Sequence, residues 1–71
     1  QVPYQLELSA RDTRIALGRM DELSRLGLEM DHFGGNTFLL RSFPAILGDL
    51  QWDSLIPELL SEMEKGAGSG D

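Results

Sequence analysis

The chain contains no cysteine, which removes disulfide staples, thiolate zinc sites and cysteine nucleophiles together. Nothing therefore points to an oxidising compartment, and a cytoplasmic setting is the expectation. Histidine occurs once, so no pair of imidazoles is available to hold a metal. No apolar run approaches the roughly 20 residues that a membrane-spanning helix needs, and no membrane role is expected. Cations are scarce: six Lys and Arg stand against twelve Asp and Glu, a net charge of −6. Such a chain repels a phosphate backbone at long range, because nonspecific nucleic-acid affinity comes from cation clusters that displace counterions. Direct nucleic-acid binding is not expected. Arg11, Arg14, Arg19 and Arg25 do crowd into one stretch, but Asp12, Asp21 and Glu22 are interspersed, the pattern of a solvated helix face.

What remains is an ordinary globular composition, 41% hydrophobic and 25% charged over 71 residues. A chain of this size forms one domain at most and buries only about 60 to 65 per cent of its unfolded surface. Little room is left for an enclosed active site. The chain starts at Gln1 without a signal-like segment and reads as a piece of something larger.

Val2, Tyr4, Leu6 and Leu8 alternate with Pro3, Gln5, Glu7 and Ser9, the period of a half-buried strand. Pro3 cannot donate to a ladder, so this strand begins there or lies at an edge. Ser9 and Asp12 resemble a capping box with Asp in place of Glu, which starts a helix running to about Leu26. Its apolar positions are Ile15, Ala16, Met20, Leu23 and Leu26, and Gly27 stands where a left-handed C-cap is wanted, with Leu28 folding back onto the last turn. Gly18 in mid-helix suggests that something packs closely against it.

Two short strands follow, over 28–33 and 36–43, with Gly34, Gly35 and Asn36 as the hairpin turn between them. Tight turns need positive φ, which glycine and asparagine adopt cheaply. Pro44 ends the second strand, and a turn is expected around Gly48-Asp49. Trp52, Leu55, Ile56, Leu59, Leu60 and Met63 then mark an amphipathic helix, in which Pro57 fits if it lies in the first turn. Residues 66–71 have linker composition, which places the folded unit at 1–65. The order strand-helix-strand-strand-helix predicts an α+β two-layer sandwich, a three-stranded sheet with helices on one face.

Chemistry finds little purchase. His32, beside Asp31, has no second ligand at metal spacing and no nucleophile in a recognisable frame. It reads as a strand-end histidine packed at the surface. The glycine pair precedes a strand, whereas a phosphate loop needs a helix there. Asp53, Glu58, Glu62 and Glu64 read as a solvated helix flank, and Trp52 as a cover for one end of the core or, less favoured, an exposed partner anchor. No catalytic residue and no cofactor are expected. One open alternative is a small effector-binding α+β regulatory domain with its ligand between the hairpin and the first helix.

The run "VPYQLELS", the stretch "LSRLGLEMDHFGGNTFLLRSFPAIL" and the later "LIPELLSEM" together resemble the C-terminal region of MutL-family DNA mismatch repair proteins, over about residues 2–64. The resemblance implies an external, regulatory subdomain beside a dimerisation subdomain of the same polypeptide, in a homodimeric parent of ATPase and metal-dependent endonuclease type. The family's nuclease motifs, Asp-Gln-His-Ala, Ala-Cys-Arg and Cys-Pro-His-Gly, are absent from this stretch, so the piece alone is not expected to cut DNA. In clamp-binding members a Gln, apolar residues and a Pro lead into the first strand and dock on the replication sliding clamp. Val2 and Pro3 match the end of that motif, with Tyr4 following, while Gln1 stands where an apolar residue is expected. The open reading of the same residues is that Val2 and Tyr4 are the inner face of an edge strand.

Overall fold

The computed structural model describes residues 3–48 and 50–68. The N-terminal alternation forms β1, Tyr4–Glu7, and the helical stretch after it divides into α1, Ala10–Gly18, and α2, Met20–Arg25. The hairpin strands are β2, Glu29–His32, and β3, Thr37–Ser42, followed by a 3-10 turn at Ala45–Leu47 and by α3, Trp52–Gly68. The sheet order is β1-β3-β2. Tyr4 lies opposite Leu40 in the antiparallel β1–β3 pair, and His32 opposite Phe38 in the antiparallel β2–β3 pair. β1 and β2 therefore run parallel to each other on either side of β3, joined by the two helices.

Alternation along the strands decides which face is buried. Leu6, Met30, Phe38 and Leu40 point inward and are at most 6% exposed, while Gln5, Glu7 and Arg41 stay exposed on the other face. Ala16, Leu23, Trp52, Ile56 and Leu60 from the helices complete one core cluster. Fully burying a Leu, Ile or Phe side chain contributes about 1.5–3 kcal/mol, so these few residues supply most of the drive to fold. The expected two-layer α+β sandwich is what forms.

On the outer sheet face polar side chains of neighbouring strands pair with one another. Thr37 Oγ1 donates to the Glu7 carboxylate at 2.9–3.0 Å, and Gln5 Nε2 donates to Glu7 Oε2 at 3.0 Å. Arg41 Nε donates to Asp31 Oδ2 at 2.7 Å, and its Nη2 lies 3.9 Å from Glu29 Oε1. Opposite charges and hydroxyl–carboxylate pairs across neighbouring strands stabilise a solvated sheet surface.

Three expectations are corrected. The single helix from Ser9 to Leu26 is broken at Arg19, where φ is −126° and the N–H turns back to the Ala16 carbonyl at 3.0 Å. Arg19 gains from the break, since its guanidinium donates to Glu22 Oε1 at 2.8 Å and to the Met63 carbonyl at 3.4 Å. Gly18 is not a close-packing site, because a Cβ there would meet nothing within 4 Å. The close approach is at Gly27, where a Cβ would lie 2.9 Å from Pro44 Cγ. Finally, Pro57 lies in the second turn of α3, not the first, so the Asp53 carbonyl loses the amide donor that any other residue would offer.

Several local features follow the sequence closely. Ser9 caps α1, accepting from the Asp12 N–H at 3.0 Å. The reciprocal half of the box is missing: the buried Asp12 Oδ1 has no hydrogen-bond partner and sits 3.8 Å from Arg11 Nη1. Gly27, at φ +89°, closes α2, with its own N–H on the Ser24 carbonyl and the Leu28 N–H on the Leu23 carbonyl, each 2.9 Å. Those two bonds are the Schellman pattern. α3 runs through 66–68, the first part of the expected tail, and 69–71 lie outside the described residues.

The two glycines give opposite expected outcomes. Gly27→Ala, which meets both positive φ and the Pro44 ring, lowers stability by more than about 1 kcal/mol. Gly18→Ala, at an open helical position, leaves stability unchanged or raises it by up to about 1 kcal/mol. Urea unfolding of both variants checks the pair; a Gly27→Ala midpoint at or above the parent's overturns the packing argument.

Candidate functional site

Of the three residues expected to meet a partner, Val2 lies outside the described residues. Pro3 is exposed and precedes the first strand. Tyr4 opens β1, whose other edge has no neighbouring strand in the three-stranded order. Its side chain points toward the helix layer, as its spacing from Leu6 and Leu8 requires, yet it stays 37% exposed. Its Oη donates to Asp53 Oδ2 at 2.9 Å. The strand entrance is thereby tied to the first turn of α3.

Next to Asp53 in the chain, the packing is aromatic. Trp52, the first residue of α3, is 2% exposed, with its ring centroid 4.9 Å from that of Phe43 at 43°. It covers one end of the core and is not an exposed anchor. Its buried Nε1 has no hydrogen-bond partner.

The turn residues sit at the opposite end. Gly34 and Gly35 have φ of +84° and +52°, and the Thr37 N–H donates to the Gly34 carbonyl at 3.1 Å. Asn36 does not share the positive φ expected of it, since among the described residues only glycines have one. Positive φ at Gly35 followed by negative φ at Asn36 is the sequence of a II′ turn. Asn36 contributes through its backbone instead, its carbonyl accepting from the Leu8 N–H at 2.9 Å. His32 Nε2 lies 2.8 Å from the Gly35 carbonyl, which calls for a proton on that nitrogen, and the ring packs 4.8 Å from Phe38. It braces the turn.

Among the described residues no three of His, Cys, Asp and Glu come together. Three open grooves run along the helices, lined largely by charged residues such as Arg11, Arg14, Arg25, Glu58 and Glu64. None of the three is lined by a hairpin residue, so the hairpin and the first helix do not form any of them. No helix among the described residues is long and apolar enough to cross a membrane.

Sequence reasoning missed Asp53 as the partner of Tyr4, and it missed Arg19 as the link between α2 and α3. No local pattern marks either, because the Tyr4–Asp53 pair spans 49 positions and the Arg19–Met63 contact 44.

Comparison with known proteins places this sequence in a family. The MutL C terminal dimerisation domain matches residues 1–70. The DNA mismatch repair protein MutL of Pelotomaculum thermopropionicum is 43% identical over 70 residues, covering 97% of this chain and 12% of the relative. That of Citrifermentans bemidjiense is 36% identical over 61 residues, 86% of this chain and 9% of the relative. That of Chromohalobacter salexigens is 34% identical over 64 residues, 90% of this chain and 10% of the relative. The chain thus spans about a tenth of the length of these relatives. No solved structure matches it.

The Tyr4 contact has a pH signature. Donation to Asp53 holds the phenol above its ordinary value near 10, and partial loss of water and the carboxylate's charge push the same way. A group whose folded pKa is raised contributes stability below its unfolded pKa and loses it as pH rises through the folded value. Stability from this pair is therefore present at neutral pH and lost in the alkaline range. Tyr4 is the single tyrosine, so ultraviolet titration reads it directly. Asp53→Asn brings the midpoint down toward the ordinary value; an unchanged midpoint overturns the assignment.

Proposed function

The chain belongs to the MutL family of DNA mismatch repair proteins and is part of the MutL C-terminal dimerisation domain; on that premise we propose that it serves as a non-catalytic regulatory and interaction subdomain. It sits beside the dimerising part of the same polypeptide and presents the lead-in to β1, Val2, Pro3 and Tyr4, to the replication sliding clamp. The parent is a homodimer with ATPase and metal-dependent endonuclease activities carried outside this segment, which itself holds no cofactor. The observation that carries the reading is the placement of Pro3 and Tyr4: an exposed, extended entrance to an edge strand, anchored by Asp53. An extended segment restrained by proline loses little further entropy when it enters a groove. Main-chain and alternate side-chain contacts at a strand edge are a recurrent way of holding a peptide.

Acidic charge argues for a protein partner over a nucleic acid. At −6, this segment is repelled by a phosphate backbone and contributes no counterion release.

The test is capture of the purified sliding clamp by the full MutL protein that carries this sequence. Changing Val2 and Pro3 to serine removes the apolar contact and the backbone restraint together, and is expected to weaken capture about tenfold or more, the range of one or two interface side chains. Unchanged capture sinks the clamp assignment.

A further inference from the structure

The sheet holds the start of β1 through one pair of residues, since the strand begins at Tyr4, opposite Leu40. Pro3 before it is exposed and has no N–H to add to a ladder. A terminal ladder pair opens more readily than the pairs behind it, and a single point of attachment leaves the direction of the chain in front of it unset. The Tyr4 hydroxyl supplies a second point, donating to Asp53 Oδ2 at 2.9 Å across 49 positions of sequence.

Asp53 is itself firmly placed. It is the second residue of α3, directly after the buried Trp52, whose ring packs on Phe43 just past the end of β3. The Ser54 and Leu55 N–H groups donate to the Gln51 carbonyl at 3.1 and 2.9 Å, closing the first turn around Asp53. The contacts thus form a ring, from β3 through Phe43, Trp52 and Asp53 and back through Tyr4 to Leu40 of β3. A side chain on a helix whose start is locked by packing holds its partner more precisely than one on a loop. An acid in the first turn of a helix also has a simpler use, the favourable interaction with the helix N-terminus, and the two uses predict different outcomes.

We propose, resting on the reading of Val2, Pro3 and Tyr4 as a clamp-binding lead-in, that Asp53 is a positioning residue for that contact. It does not touch the clamp. It holds Tyr4 so that Pro3 and the chain before it leave the sheet in the direction from which they dock. A segment that points the right way only part of the time binds with an affinity reduced by that fraction. Loss of the Tyr4–Asp53 bond lowers the fraction about fivefold, the scale of one net hydrogen bond.

Equilibrium binding of the purified sliding clamp to the full MutL protein carrying this sequence tests the assignment, at a temperature well below the melting of every variant. Tyr4→Phe and Asp53→Ala are each expected to weaken binding about fivefold. The double variant weakens it no more than either alone, since both remove the same bond. Asp53→Asn keeps an acceptor oxygen and stays within about twofold of the parent. A role confined to the helix N-terminus gives another pattern: Asn falls with Ala, because both lose the charge, and Tyr4→Phe changes nothing. Losses that add in the double variant, Asn no better than Ala, or unchanged or tighter binding in either single variant each overturn the proposal. The Val2 and Pro3 serine variant separates the two readings. If it weakens binding while Tyr4→Phe and Asp53→Ala do not, the clamp contact stands and Asp53 has no part in it. If it binds as the parent does, the clamp contact falls and the role of Asp53 falls with it.

Discussion

Phe38 and Leu40 on the central strand are 0% and 1% exposed, and every other element is arranged by the need to keep them so. β1 and β2 pair with β3 on either side and add Leu6 and Met30 to the same face. The helices close over that face with Ala16, Leu23, Ile56 and Leu60. With a single buried sheet face, the described residues form one core cluster in a chain of 71 residues. Marginal stability is the ordinary consequence for a unit of this size.

The polar contacts then divide by what they do. Across the outer sheet face, the pairs of Glu7 with Thr37 and of Asp31 with Arg41 make solvent an acceptable neighbour. Along the helices, Arg19 joins Glu22, Glu64 and the Met63 carbonyl, binding the short α2 to the far part of α3. At the strand entrance, Tyr4 and Asp53 hold the first residues of β1 against the start of α3. That contact joins two elements far apart in the chain. The opposite end, with Gly34, Gly35 and His32, is occupied by the demands of turning the chain.

The elements were legible where their cause is local. Ser9, Gly27 and the stripe from Trp52 to Met63 each announce a cap or a face through spacing alone, and the structure uses them so. The helix break at Arg19 was not legible, because its compensation comes from residues 63 and 64, far along the chain. Gly18 and Gly27 look alike as letters; only the fold sets a Pro44 ring beside one and leaves the other open. Pro57 shows the same limit from another side, since helix packing overrides the lost hydrogen bond that propensity counts against it.

For the candidate site the division is sharper. Composition and periodicity by themselves pointed to a small acidic α+β unit with alternating strands and amphipathic helices, because charge, alternation and helical spacing act over a few neighbouring positions. The tertiary structure alone decided that Tyr4 is anchored by Asp53 and that Trp52 is buried instead of presented. Those facts depend on which strands pair and where each helix starts, and such juxtapositions come from burying one common face, which no short stretch of sequence encodes.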